Sequence, residues 1–155
     1  MNTFVALGLL LTVTDAVVLT RCEVANIFYN NGLNGYLGYE LGHWMCVAFY
    51  ESQYNTSARK VMESINNNLE ATKFGMFQIS NSKWCSDPDY PESPNVCEIQ
   101  CEDLITDSDD YRVNIGCAAT MVFFLEMKAW DSWVKNCNRT SFDDYYEDCG
   151  IDFNL

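Results

Sequence analysis

Cysteine is the residue type in this chain whose number and spacing most clearly predict chemistry. The sequence has 155 residues, eight of them cysteines. An even number in a short chain, behind an apolar leader, predicts a disulfide framework rather than a metal or redox site. Residue types alone allow about 105 pairings, so the pairing stays open at this point. The eight positions are Cys22, Cys46, Cys85, Cys97, Cys101, Cys117, Cys137 and Cys149.

Histidine offers little catalytic potential. His43 is the only histidine in the chain, and we interpret it as a structural residue rather than a ligand or a general base. Because the cysteines are assigned to bridges, we expect neither a Ser-His-Asp nor a Cys-His catalytic set.

An acidic segment between Cys101 and Cys117 has two interpretations. Clusters of carboxylate oxygens suit calcium. Asp107 can equally cap the helix that follows, with further acidic residues favoured near the positive end of the helix dipole. We therefore assign no metal ion and no cofactor to the chain. The acidic residues are Glu102, Asp103, Asp107, Asp109 and Asp110.

Residues 1–16 have the pattern of a signal peptide. Residues 4–11 read FVALGLLL, an apolar run too short to span a bilayer. Thr14 and Ala16 place small residues where a signal peptidase reads them, which predicts cleavage after Ala16. No Lys or Arg precedes the run, so an uncleaved membrane anchor is the alternative. We expect one secreted, extracellular domain over residues 17–155.

The net charge excludes several classes of partner. The chain carries −13 at pH 7, and Asp15 is the one charged residue within 1–16, so the predicted mature domain carries −12. A protein this acidic repels nucleic acid and anionic membranes at low salt. We expect a monomer with neither nucleic acid nor a membrane as its partner.

The spacing of apolar residues predicts four helices. The first is expected to end at a glycine cap at Gly32, and the second to end near Glu51. Residues 113–127 form a long apolar pattern that predicts a third helix. Residues 129–134 predict a shorter fourth one.

The middle of the chain has the composition of a small sheet and a loop. Residues 57–80 predict the sheet, with one strand at 74–79. Residues 85–101 hold three prolines and three cysteines, which indicate an irregular loop stapled by disulfides. Helices around one sheet segment give an α+β class.

Five blocks of sequence resemble one known family. They are TRCEV at 20–24, GYELGHWMC at 38–46, FYESQYNT at 49–56, FGMFQISN at 74–81 and AWDSW at 129–133. With the cysteine spacing, these blocks resemble the C-type lysozyme/α-lactalbumin family over essentially the whole mature chain.

The resemblance implies the lysozyme fold, in which a substrate cleft separates a helical lobe from a small antiparallel-sheet lobe. It also implies which cysteines pair. The implied bridges are Cys22–Cys149, Cys46–Cys137, Cys85–Cys101 and Cys97–Cys117.

The resemblance further implies hydrolysis of peptidoglycan by two carboxyl groups that flank the β-1,4 bond. Glu51 matches the general acid, and Trp130 matches the apolar neighbour that would favour its protonated form. The second carboxylate would lie two residues before Gly75, where this chain has Lys73. A lysine cannot act as the nucleophile, and its charge would repel the sugar cation and favour ionised Glu51. We therefore expect weak or absent muramidase activity.

Another carboxylate could take the second role. The segment between Glu51 and Gly75 is longer than is typical of the family, and it contains Glu63 and Glu70. Glu70 would serve only if the hairpin were remodelled to aim it into the cleft. The alternative is a solvated carboxylate on the hairpin.

The saccharide-contact positions of the family are partly kept. Ser80 replaces the usual asparagine, and Lys83 replaces an often aromatic residue, which removes an apolar platform but keeps a donor. Trp133 is equally a core residue. The predicted substrate-binding residues are Gln78, Ser80, Lys83, Trp84 and Trp130.

Three functions follow from the resemblance. The first is weak or absent muramidase activity toward bacterial cell-wall polysaccharide or another N-acetylated saccharide. The second is non-catalytic binding of a saccharide or a protein, and the third is a synthase regulator like α-lactalbumin. Asn55 and Asn138 begin glycosylation sequons, of which Asn138 in the C-terminal tail is the better candidate.

Overall fold

Four α-helices and one three-stranded antiparallel sheet are present in the part of the chain that the structure describes. The structure is a computed structural model, and it describes residues 17–63, 70–105 and 110–154. The predicted α+β class, a helical lobe plus a small sheet lobe, is confirmed. The helices are α1 (Arg21–Asn30), α2 (Leu41–Ser52), α3 (Arg112–Leu125) and α4 (Asp143–Tyr146). The strands are β1 (Arg59–Val61), β2 (Thr72–Phe74) and β3 (Ile79–Ser80).

Helix α1 has a capping box at its start and a glycine just after its end. The Thr20 side chain accepts a hydrogen bond from the backbone N–H of Glu23, and Glu23 Oε2 accepts one from Thr20 N at 2.7 Å. These bonds satisfy two backbone donors that the first turn would otherwise leave unpaired. Gly32 has a φ of 80°, which a glycine adopts without strain. The predicted helix end is confirmed.

Helix α2 forms much of the core and ends close to where it was predicted to end. Trp44, Met45 and Ala48 are fully buried along it. Gln53 closes the helix in a left-handed conformation with a φ of 52°. The last turn therefore carries Glu51 out of the core at a defined point.

The strand predicted at 74–79 is wrong. Strand β2 ends at Phe74 and β3 begins at Ile79, so the residues between them form a turn. Gly75 and Gln78 have φ values of 73° and 51°, which lie in the left-handed region and reverse the chain. An ideal Cβ at Gly75 would lie 2.3 Å from the backbone oxygen of Leu104. The turn packs so closely against Leu104 that only a glycine fits at position 75.

The last two predicted helices have different limits from those expected. Helix α3 stops at Leu125 because Glu126 has a φ of 58°, and a 3₁₀ turn, Glu126–Ala129, follows. The helix predicted at 129–134 is wrong at its start, since Trp130 is extended with a ψ of 122°. Helical backbone resumes after it and continues as a π-helical turn, Trp133–Cys137.

Four disulfides hold this arrangement together, and the pairing implied by the resemblance is confirmed. One joins α1 to the C-terminal tail, and a second joins α2 to the π-helical turn. The other two staple the loop at 85–101, which is irregular as predicted, and anchor it to α3. In the chain-entropy model each is worth about 2–4 kcal/mol. The bridges are Cys22–Cys149, Cys46–Cys137, Cys85–Cys101 and Cys97–Cys117.

Some predictions concern segments that the structure does not describe. The predicted signal peptide, residues 1–16, lies outside the described residues. Asp107 and Asp109 of the acidic segment do too. Within the described ranges, no helix has both the length and the apolar character needed to cross a membrane.

His43 accepts a hydrogen bond from a buried tryptophan, so we expect its protonation to destabilise the fold. Its Nδ1 accepts from Trp133 Nε1 at 3.0 Å. Burial lowers the pKa of His43, against the charge of Glu40 and the backbone of Cys137, which raise it. As the pH falls below about 6.5, His43 binds a proton in the unfolded chain at a higher pH than it does in the folded protein. The free energy of unfolding therefore decreases as the pH falls.

This pH dependence can be isolated with His43→Gln, which can still accept from Trp133 but does not titrate. Between about pH 7.5 and about pH 5, the wild type should lose more free energy of unfolding than the variant, as measured by urea denaturation. Equal losses would show that His43 contributes nothing to the pH dependence.

Candidate functional site

Hydrogen bonds tie the end of α2 to the turn between β2 and β3. Ser52 Oγ donates to Met76 O at 2.8 Å. On the other side of the turn, Gln78 Nε2 donates to Gly75 O at 3.0 Å and to Ala58 O at 3.2 Å. These bonds fix the last turn of α2, which carries the candidate general acid, relative to the sheet.

Glu51 lies half-buried at this junction and has a defined partner. Ser132 Oγ donates to Glu51 Oε1 at 2.6 Å. This bond links the last turn of α2 to the segment just before the π-helical turn. One carboxyl oxygen is thus held by the protein, which orients the group.

Trp130 is positioned through the β2–β3 turn. Its Nε1 donates to Phe77 O at 2.8 Å, and the two rings are 5.9 Å apart between centroids. The side chain is only 3% exposed, so it can offer a saccharide little more than one edge. Trp133 is 9% exposed and belongs to the core, which favours the structural interpretation of that residue.

Lys73 lies on the middle strand of the sheet, in a row of polar residues that crosses all three strands. It pairs with Lys60 on β1 and with Ser80 on β3. Phe74 and Ile79 are paired in the next row and are buried at 1% and 0% exposed. Because successive residues of a strand point to opposite faces, the row of Lys60, Lys73 and Ser80 lies on the face turned away from the core. We call it the Lys60–Lys73–Ser80 row.

The two acidic residues of the hairpin belong to the other face. The bond from Met62 N to Ala71 O, at 2.8 Å, continues the β1–β2 pairing by one residue. Alternation then places Glu63 and Glu70 on the face of Phe74, opposite the face of Lys73. Both are exposed. The geometry therefore favours the solvated-carboxylate interpretation of Glu70 over a catalytic role.

The remaining predicted saccharide contacts differ in their availability. Gln78 is 5% exposed, and its amide already donates to the backbone. Trp84 is also 5% exposed, and Lys83 Nζ lies 4.8 Å from the centroid of its ring. Ser80 is half-buried and shares a hydrogen bond with Ser82, with 2.8 Å between the Oγ atoms. Ser80 and Lys83 are thus the more accessible of these positions.

Two residues of this site, Lys60 and Ser132, were not among the predicted ones. Counting the hairpin register back from Lys73 identifies Lys60. Ser132 stands between the two tryptophans of the AWDSW block, and no feature of the sequence indicates that it reaches Glu51. Both roles depend on pairing between distant segments.

Two of the acidic residues in the described part of the segment form ion pairs. Glu102 pairs with Arg59, and Asp110 bonds to Arg112 at 2.6 Å. Hydrogen bonds from the Arg112 side chain and backbone lower the pKa of Asp110 to about 2. Among the residues described, no group of three or more His, Cys, Asp and Glu side chains is arranged to hold a metal ion.

The two sequons differ in accessibility. Asn138 is exposed. Asn55 is half-buried, and its Oδ1 accepts a hydrogen bond from Ser57 N at 2.9 Å. The geometry favours Asn138 as the better acceptor.

Known proteins resemble this chain along nearly its whole length. A sequence model of the C-type lysozyme/alpha-lactalbumin family matches residues 17–149. Lysozyme C of Chelonia mydas is 39% identical over 132 residues, which cover 84% of this chain and 97% of the relative. Lysozyme C-1 of Mus musculus is 37% identical over 154 residues, covering 97% and 100%. Lysozyme-like protein 2 of Homo sapiens is 36% identical over 146 residues, covering 94% and 93%.

The two lobes, the four disulfides and the helix end that carries Glu51 are those of the lysozyme fold. The chain belongs to the C-type lysozyme/alpha-lactalbumin family. Its relatives include both lysozymes and lysozyme-like proteins, which supports a glycoside hydrolase family.

Proposed function

We propose that this protein is a secreted member of the family that binds N-acetylated saccharides and hydrolyses peptidoglycan weakly or not at all. The observation that carries the proposal is the Lys60–Lys73–Ser80 row, which presents two cations on the open face of the sheet. The disulfide framework and the apolar leader support secretion. The accessible Ser80 and Lys83 support retention of a saccharide groove.

The retained half of the catalytic machinery is the general acid. Glycoside hydrolysis by this family needs one carboxyl group that gives a proton to the leaving oxygen. Glu51 fits this role because it lies in the last turn of α2 beside the sheet lobe and is oriented by Ser132. A general acid alone can still assist departure of the leaving group, with water as the nucleophile.

The missing half is the carboxylate that stabilises the sugar cation. Lys73 stands at that position and cannot supply a negative charge. At a separation of about 6 Å and an effective dielectric of about 20, a lysine ammonium repels a unit cation by about 3 kcal/mol. That is roughly a hundredfold in rate, before the loss of the carboxylate itself is counted. Lys60 adds to the repulsion.

A second candidate function is binding without turnover, to a saccharide or to a protein. The specific observation in its favour is that the row contains two lysines. A lysine at the carboxylate position with a second lysine beside it is harder to reconcile with residual hydrolysis than Lys73 alone would be. The same fold can serve catalysis or binding, because function depends on the site it carries.

Cell-wall clearing should separate these functions. We expect the wild type to clear suspended bacterial walls at least about a hundredfold more slowly than a lysozyme with both carboxylates, across the pH range. Any residual rate should be abolished by Glu51→Gln, which keeps the shape of the side chain but cannot give the proton.

Glu63→Gln is the matched control for that variant, because it removes one carboxylate from the opposite face of the sheet. It should leave the residual rate unchanged. An ordinary lysozyme rate from the wild type would overturn the proposal. No measurable rate, together with retained saccharide binding, would select binding without turnover.

A further inference from the structure

The two lysines of the row face each other across neighbouring strands. Lys60 and Lys73 are direct partners in the β1–β2 register. In an antiparallel pair, opposite Cβ atoms lie about 4.5–5.5 Å apart, and like charges at such positions destabilise the sheet. This face of the sheet therefore holds an unfavourable concentration of positive charge.

Neither lysine forms an ion pair with a carboxylate in the part of the chain that the structure describes. The ion pairs there involve Arg59, Arg112, Lys128 and Arg139, and neither Lys60 nor Lys73. The nearest acids along the hairpin, Glu63 and Glu70, fall on the other face by alternation. Residues 64–69 read SINNNL and contain no charged residue. Nothing in the hairpin sequence can neutralise the pair on its own face.

We propose that the Lys60–Lys73–Ser80 row is a subsite for an anionic substituent, a carboxylate or a sulfate ester, of an acidic oligosaccharide. An anion between the two ammonium groups relieves their repulsion and accepts charge-assisted hydrogen bonds from both. The Ser80 hydroxyl, next in the row, supplies a neutral donor. The inference rests on the proposed saccharide-binding function and specifies its ligand.

A third cation lies on the same lobe. The bond from Trp84 N to Ser80 O, at 3.1 Å, closes the turn that contains Lys83. Lys83 is exposed, with its ammonium held over the ring of Trp84. An acidic sugar bound at the row would therefore have a further hydrogen-bond donor, the Lys83 ammonium, close to Ser80 at the end of β3.

The overall charge argues for a short ligand rather than a long polyanion. With a net charge of −13, the protein as a whole repels polyanions over distances of about one Debye length, roughly 10 Å at 0.1 M salt. Attraction is confined to the sheet face where the cations are gathered. The ligand that fits is an oligosaccharide or a glycan terminus that places one or two acidic groups in the row.

Calorimetric titration with two matched tetrasaccharides tests the inference. One alternates N-acetylglucosamine with glucuronate, and the other contains N-acetylglucosamine alone and is neutral. At roughly 20 mM salt we expect the acidic tetrasaccharide to bind at least about tenfold more tightly, and the difference to shrink at roughly 500 mM salt. A sulfated tetrasaccharide compares sulfate with carboxylate as the anionic group. Tighter binding of either acidic tetrasaccharide than of the neutral one supports the site.

The double variant Lys60→Gln/Lys73→Gln assigns the preference to the row. It should reduce affinity for the acidic tetrasaccharide about tenfold and leave affinity for the neutral one within about twofold. Lys128→Gln/Lys135→Gln makes the same change in net charge away from the sheet and should keep the preference. Thermal unfolding of each variant verifies that it is folded.

The possible failures are distinguishable. If neither tetrasaccharide binds, the proposed saccharide function itself is wrong. If both bind equally well, that function stands and the anionic subsite is overturned. The subsite is also overturned if the acidic preference survives in the folded Lys60→Gln/Lys73→Gln variant, since the anion is then held elsewhere.

Discussion

Lys73→Asp is expected to raise the rate of cell-wall hydrolysis by about one hundredfold or more over the wild type. The substitution removes a cation that repels the sugar cation and supplies the carboxylate that stabilises it. Glu51 needs no change, because α2 and Ser132 already hold it at the lobe junction. Clearing of suspended bacterial walls by the purified variant measures the gain.

Lys73→Asn is the matched control, because it removes the cation without adding a carboxylate. Its gain should be smaller than that of Lys73→Asp. A carboxylate at this position would face Lys60 directly, and their pairing would blunt its effect on the sugar. Lys60→Asn combined with Lys73→Asp should therefore exceed Lys73→Asp alone. No gain from any of these folded variants would mean that the longer hairpin holds the position away from the cleft.

Gly75→Ala is expected to destabilise the fold by about 3 kcal/mol. The residue has a φ of 73°, which is strained for alanine. Its Cβ would lie 2.3 Å from Leu104 O and 2.7 Å from Asn114 Oδ1, so backbone must move as well. Overpacking and backbone strain each cost about 1–3 kcal/mol. Urea denaturation at neutral pH measures the loss.

Gly116→Ala tests the same change where the opposite result is expected. Gly116 lies within α3, and nothing is found within 4 Å of its ideal Cβ. Alanine in a helix is favoured over glycine by about 0.5–1 kcal/mol, so this variant should be slightly more stable than the wild type. A loss of less than about 1 kcal/mol from Gly75→Ala would contradict the packing described for the turn.

The ends of the first two helices were predictable because the signals are local. The capping residues Thr20 and Glu23 and the glycine at Gly32 act within a few positions of the helix ends they define. The buried residues of α2 recur at the spacing of one helix face. Such features depend on the chain near them rather than on distant partners.

The errors arose where a distant segment decides the local conformation. The mostly apolar segment at 74–79 resembles a strand, but the chain turns at Gly75, where Leu104 and Asn114 leave no room for a side chain. The helix predicted at 129–134 fails at Trp130, which is extended and bonds to Phe77. Both contacts join segments far apart in the sequence.

The site was predictable only in part for the same reason. Glu51 and Lys73 could be proposed as candidates from motifs, but the position of Lys60 beside Lys73 depends on strand register. The face occupied by Glu70 depends on that register too, and a shift of one residue would exchange the two faces. The partner of Glu51, Ser132, lies on another element altogether.

The β1–β2 hairpin lies between Cys46 and Cys85, and no disulfide joins it to the rest of the protein. The polar row on its open face contributes little to the core. Cellular chaperones and proteases respond to the stability of a protein, and a change from one polar residue to another at position 73 would alter that stability little. Selection on folding and selection on chemistry are therefore nearly independent here. A single substitution here can change the chemistry that the sheet offers without changing whether the protein folds.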